Sequence, residues 1–213
     1  GASPRMTKSS DLIRSLRTLA VRGLARMYRP EEKSFVFCLR RTSEGIFPEG
    51  LSQRYTAITL IGLATEDEAT ISQIFGPDSL LDVCERLVAQ PSRVTNLGDV
   101  ALMLWAAGAV GHRDKQSLLQ RLLELNPVER SYPTVEVAWT LAALCFTTDL
   151  PALEEIRDRL AARLITAYGK RSAIFPHMLG ENDGGSRAHV SCFADLVYPV
   201  HALAHYAKLT GSR

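Results

Sequence analysis

"VEVAWTLAALCF" at residues 135–146 carries one acid in its first turn and no charge after it. A helix this apolar has no face to give to water and has to be covered on every side. A few residues later, "ALEEIRDRLAARLITAY" (152–168) sets Leu153, Ile156, Leu160, Leu164 and Tyr168 in one stripe, with Glu154, Glu155, Arg157, Asp158 and Arg163 outside it. That is a helix with one wet face. A dry helix followed by a wet one is the pattern from which the rest of the fold follows.

The pattern extends along the chain. "YTAITLIGLA" (55–64), "VALMLWAAGAV" (100–110) and "FADLVYPVHALAHYA" (193–207) are also dry. "SLLDVCERLVAQ" (79–90) and "DKQSLLQRLLEL" (114–125) are wet, as is a basic first segment in which Leu12, Leu16, Leu19, Gly23 and Met27 recur at helical spacing. The dry helices begin near Tyr55, Asp99, Glu136 and Asp195, a spacing of about 37 to 59 residues that reads as a helical-hairpin repeat. Small residues (Ala57, Gly62, Ala106, Ala107, Gly108, Ala142, Ala143) let dry helices crowd together. The expected fold is all-α: one domain over residues 1–213, an (α/α) toroid or partial toroid of about four helical hairpins. "FVFCLRRT" (35–42) has β character and places a short β-hairpin near 35–48. The near copies "GIFPEG" (45–50) and "AIFPHM" (173–178) both lie in links that lead into a dry helix. There Phe is expected to plug the end of the ring and Pro to set an extended approach.

Composition narrows the function classes. The chain has 213 residues, 46% hydrophobic and 23% charged, with a net charge of +2. That charge is too small to argue for a nucleic-acid partner, and no apolar run is long enough for a membrane span. The basic first segment suits an ordinary helix with a solvated face better than a membrane-surface helix or a targeting peptide. Cys38, Cys84, Cys145 and Cys192 form no CxxC pair. They read as buried free thiols in a reducing, cytoplasmic compartment.

"G-x-F-P" (45–48) ahead of "R-Y-T-A-I" (54–58), and "D-x-V-Y-P-x-x-A-L-A" (195–204), set within alternating helices, resemble the (α/α) toroids. That superfamily includes six-hairpin glycosidases, polysaccharide lyases, uronyl epimerases and terpenoid-cyclase-like proteins. The resemblance spans Leu12 to Leu209. It implies a ring of inner helices inside outer ones, with a ligand at one mouth. Such rings usually close with about five to seven hairpins, and no outer helix follows residues 193–207. The chain is therefore expected to self-associate or to lack a C-terminal half.

In that architecture the links before the inner helices line the mouth. Asp99, Glu136 and Asp195 are the acid–base candidates, because converging carboxylates can do proton transfer at a sugar carbon or glycosidic bond. Arg54, Tyr55, His189 and Tyr198 are the substrate-binding candidates. A second reading of the acids stands beside this one. Asp and Glu favour the first turn of any helix, where they meet free N–H groups, and "NLGD" (96–99) reads as a capping box. Trp105 and Trp139 read as core residues, and "GENDGGSRAH" (180–189) as a lid or a surface loop. No cofactor and no metal are expected. His201 and His205 lie four apart without a third ligand at a recognisable spacing, and the fixed Cys, Asp and His pairings of prenyltransferase-like rings are not apparent. The expected function is a carbohydrate-active or related small-molecule enzyme. The alternatives are a non-catalytic helical scaffold for a partner protein and a cyclase- or prenyltransferase-like toroid.

Overall fold

The structure, a computed structural model, describes residues 4–150, 153–169, 173–180 and 190–211, with side chains from Ser9 onward. Helices predominate and a small antiparallel sheet accompanies them. The contacts of the chain gather into two compact units, Gly1–Leu87 and Val88–Arg213.

The first unit contains α1 (Pro4–Met27), β1 (Tyr28–Arg29), β2 (Ser34–Thr42), β3 (Gly45–Leu51), α2 (Gln53–Leu63), α3 (Glu68–Phe75) and most of α4 (Leu80–Val88). The expected hairpin is present as β2 and β3, with β1 added on the other side of β2. Phe35 packs with Tyr28 and Phe75, ring centroids 5.4 and 5.8 Å away, so an aromatic cluster anchors the sheet. Ser52 caps α2 by accepting from the Tyr55 N–H at 3.1 Å. One residue on, the Thr56 hydroxyl donates to the Ser52 carbonyl at 2.7 Å and accepts from the Phe35 N–H at 3.0 Å, which ties α2 to β2.

Three expectations change in this unit. Helix α3 was not anticipated. Its start is set by Asp67, which accepts from the Thr70 N–H at 2.7 Å, and that hydrogen bond holds the carboxyl below its ordinary range. The apolar stripe of α1 does not pack along its length, since Leu12, Leu16 and Leu19 are exposed. Polar pairing attaches the helix there instead: Arg17 reaches Glu66 and, at 3.0 Å, the Thr70 hydroxyl. Phe47 plugs nothing. It sits in β3, opposite Arg40, and is 45% exposed.

The second unit contains α5 (Leu97–Ala109), α6 (Gln116–Glu124), β4 (Tyr132–Pro133), α7 (Thr134–Phe146), α8 (Glu154–Ala167), β5 (Met178–Leu179) and α9 (Phe193–Thr210). Helix α7 packs against both α5 and α9, α6 lies on α5, and α8 lies on α7 and α9. The wet and dry alternation holds for α5 to α8. Leu102, Leu104, Leu141 and Leu144 are buried to 2% exposure or less, and Ala101, Ala138, Ala142 and Ala143 bring the backbones close. Each buried leucine contributes about 1.5–3 kcal/mol, so this layer holds the unit together.

The expectation that every dry helix is covered all round fails at α9 and α2. Phe193, Leu196, Val197 and Val200 form an uncovered strip on α9, and Tyr55 and Ile58 are exposed on α2. On α2, Tyr55 has the Phe37 ring beside it and is still 40% exposed.

All four cysteines are free, but only Cys84 and Cys145 are buried; Cys38 is half-buried and Cys192 exposed. Burial pushes the Cys84 thiol up to about 12 and the Cys145 thiol up to about 11. Since the thiolate is the reactive form, brief alkylation of the native chain at neutral pH should label Cys192 and Cys38 and spare Cys84 and Cys145. Peptide mass mapping reads the outcome, and native labelling of Cys84 or Cys145 would contradict this packing.

Candidate functional site at one end of three helices

The second unit gathers Asp99, Glu136 and Asp195 at the N-terminal ends of its three adjacent helices α5, α7 and α9. Two of the acids bond to a helix start, Glu136 to that of α5 and Asp195 to that of α9. Asn96 caps α5, its Oδ1 accepting from the Asp99 N–H at 3.0 Å, so the capping half of the predicted box is present; Asp99 is half-buried.

Glu136 reaches across to the neighbouring helix. Its Oε1 accepts from Asn96 Nδ2 at 3.0 Å and its Oε2 from the buried Gly98 N–H at 3.2 Å. The first turn of α5 has N–H groups with no intrahelical partner, and Glu136 meets one of them from outside. This requires close approach, and the sequence provides it at Gly98. A Cβ there would lie 2.9 Å from Glu136 Cγ and 3.0 Å from the Trp139 ring.

Asp195 is fully buried. Its Oδ2 accepts from the Cys192 N–H at 2.9 Å and meets His177 Nδ1 at 3.0 Å. Its Oδ1 and the Ser191 hydroxyl oxygen are both buried without a hydrogen-bond partner. Four residues on, Pro199 has no N–H, so α9 cannot supply the bond that the Asp195 carbonyl would otherwise accept.

His177 is the residue the sequence reading passed over. It follows the second "IFP", where Phe175 is 3% exposed and packs on Tyr168. Strand β5 then pairs antiparallel with β4, Tyr132 opposite Leu179 and Pro133 opposite Met178. The Thr134 N–H donates to the His177 carbonyl at 2.9 Å, and the Thr134 hydroxyl to the Pro176 carbonyl. The start of α7 thus pins His177 beside the start of α9. Gly180 ends this pairing at φ +115, where any Cβ would strike Ser131.

Tyr198 stands one turn from Asp195, half-buried, its ring edge-on to Trp139 at 5.3 Å. Trp139 is buried, as its core reading expected; Trp105 is half-buried and stacks on Phe146 at 4.9 Å and on His201 at 5.9 Å. His201 and His205 bring their Nε2 atoms within 3.1 Å at the far end of α9, and burial, followed by the charges of His201 and Lys208, lowers the His205 pKa. Arg54 and Tyr55 belong to the first unit, where Tyr55 stacks on Phe37 at 5.6 Å. His189, and all of the 180–189 link beyond Gly180, lie outside the described residues.

The three acids do not line the groove of about 420 Å³ found elsewhere in the unit, which runs along α8 past Arg159, Arg163 and Leu179. Arg163 is already engaged there, donating to the carbonyls of Pro127, Arg130 and Leu179.

No protein-family model, curated protein or solved structure matches the chain. Among the described residues, no helix is long and apolar enough to cross a membrane.

Proposed function

We propose that the shared end of α5, α7 and α9 is the acid–base site of a carbohydrate-active or related small-molecule enzyme, and that these helices are inner helices of an (α/α) toroid. The observation that carries the reading is the state of Asp195: a fully buried carboxylate with a histidine on one oxygen and no partner on the other. Buried polar atoms are nearly always satisfied, so an orphaned carboxylate oxygen is costly to keep for stability alone. In this proposal Asp195 moves the proton, and His177 and the Cys192 N–H set its orientation. Glu136 holds α5 to α7, Asp99 adds a second carboxylate, and Tyr198 offers an aromatic wall to a sugar ring. Saturation-transfer NMR against a series of hexoses, uronic acids and their short oligomers tests the reading. Binding that is present in the wild type and lost in Asp195→Asn supports it; no binding by the wild type across the series overturns it.

A second reading has its own observation. Phe193 is 80% exposed, and with Leu196, Val197 and Val200 it makes a continuous apolar strip on α9. A non-catalytic scaffold would use such a strip to bind a protein partner, and a second copy of the chain is the simplest one. Sedimentation should then show self-association that Val200→Glu abolishes. A monomer at all concentrations would contradict this reading.

A further inference from the structure

We propose that His177, Cys192 and Asp195 bind a zinc-class divalent cation. The sequence suggests no such site, because His177 and Cys192 lie on opposite sides of a long polar link. The fold brings them together. A His177 ring nitrogen, Cys192 Sγ and an Asp195 carboxylate oxygen all lie within 4.8 Å of one another. Three protein ligands of types N, S and O, with a fourth position left for water, make up a donor set suited to zinc.

The distances decide whether this is more than proximity. Zinc takes sulfur at about 2.3 Å and nitrogen or oxygen at about 2.0–2.2 Å, so tetrahedral ligand atoms sit roughly 3.3–3.8 Å apart. The most widely separated pair, at up to 4.8 Å, has to close by about 1–1.5 Å. The side chain able to move is Cys192, which is exposed.

A second observation points the same way. Asp195 Oδ1 is buried and unpartnered, and so is the hydroxyl oxygen of Ser191 beside Cys192. A cation on Oδ1 satisfies the first of these and leaves the Cys192 N–H bond to Oδ2 intact. Access is open, since Cys192 is exposed and the His177 side chain is 38% exposed. The carboxylate forms the inner wall and the thiol and imidazole face the solvent side. A bound cation would also clip together the two ends of the 177–192 segment, so that metal binding and local stability become one equilibrium.

The proposal rests on reading this helix end as functional, makes Asp195 a ligand in place of its proton-moving role, and is measured without any saccharide. The full chain is stripped with a chelator, dialysed, and titrated with cobalt(II) under reducing conditions. The expected result is one equivalent bound, with a thiolate-to-cobalt charge-transfer band in the near ultraviolet that zinc displaces. Cys192→Ser should abolish the band, while Cys38→Ser leaves it unchanged. His177→Gln, at a side chain 38% exposed and with an amide that can keep the contact to Asp195, should weaken the affinity by more than about tenfold. No band in the wild type, or a band that survives Cys192→Ser, overturns the proposal. Saccharide binding by the stripped chain bears on the proposed function and not on this one, so the two can fail separately.

Discussion

Glu136→Leu should lower the stability of the second unit by about 1–3 kcal/mol, because leucine fills the space but accepts no hydrogen bond. Glu136 accepts from the part-buried Asn96 Nδ2 and from the buried Gly98 N–H; the variant loses both bonds and leaves the Gly98 N–H buried without its acceptor. A buried donor left unsatisfied costs about 1–3 kcal/mol. Against this stands the relief of burying one charge fewer, which is small here because the carboxylate is already well paired. Glu136→Gln keeps an acceptor for one of the two donors and should fall between leucine and the wild type. Urea unfolding should show a lower midpoint with an unchanged slope, the sign of lost stability without a change in surface exposed. A leucine variant as stable as the wild type would mean that the link between α5 and α7 contributes nothing.

Gly98→Ala is the second large effect, and it has the opposite physical origin. The added methyl would stand 2.9 Å from Glu136 Cγ and 3.0 and 3.1 Å from two carbons of the Trp139 ring. None of these can retreat cheaply: Glu136 is fixed by its two hydrogen bonds, and Trp139 is buried against Tyr198. Overpacking of this kind costs about 1–3 kcal/mol. Alanine is the better helix former by up to about 1 kcal/mol in a helix interior, but Gly98 lies in the first turn, where that advantage shrinks. The variant should therefore unfold at lower urea, with near-ultraviolet dichroism changed through Trp139. A gain in stability would show that the two helices stand further apart than described.

How far the sequence reached can be judged from these same elements. The burial of α5 and α7 was legible because helical periodicity reports how many faces of a helix call for a cover, and an absence of charge over three turns calls for one on every side. The wet stripes of α6 and α8 were legible for the same reason. Helix α9 is as apolar and is not covered all round. An apolar helix needs a cover, but composition does not say that the cover lies in the same chain, and Phe193, Leu196, Val197 and Val200 remain exposed. Short helix α3 escaped because eight residues hold barely two turns of pattern, and its one clear signal was the capping Asp67. His177 escaped for a deeper reason. Its position depends on the pairing of β4 with β5, two-residue strands far apart in sequence, and no local periodicity records such a pairing. The three acids were found because helix starts are easy to locate. Their hydrogen bonds were not, since Glu136 caps a helix other than its own.

The most direct test of the account is a paired measurement on Asp195→Asn: urea stability, and binding of the hexose and uronic acid series by NMR. Asparagine can keep an acceptor for the Cys192 N–H and the contact with His177 while removing the unpartnered carboxylate oxygen, so stability should stay within about 0.5 kcal/mol of the wild type or rise, because a buried polar atom without a partner is costly. Saccharide binding should disappear. Loss of about 1 kcal/mol of stability with saccharide binding undiminished would mark Asp195 as only a helix cap and would contradict the functional assignment of this helix end.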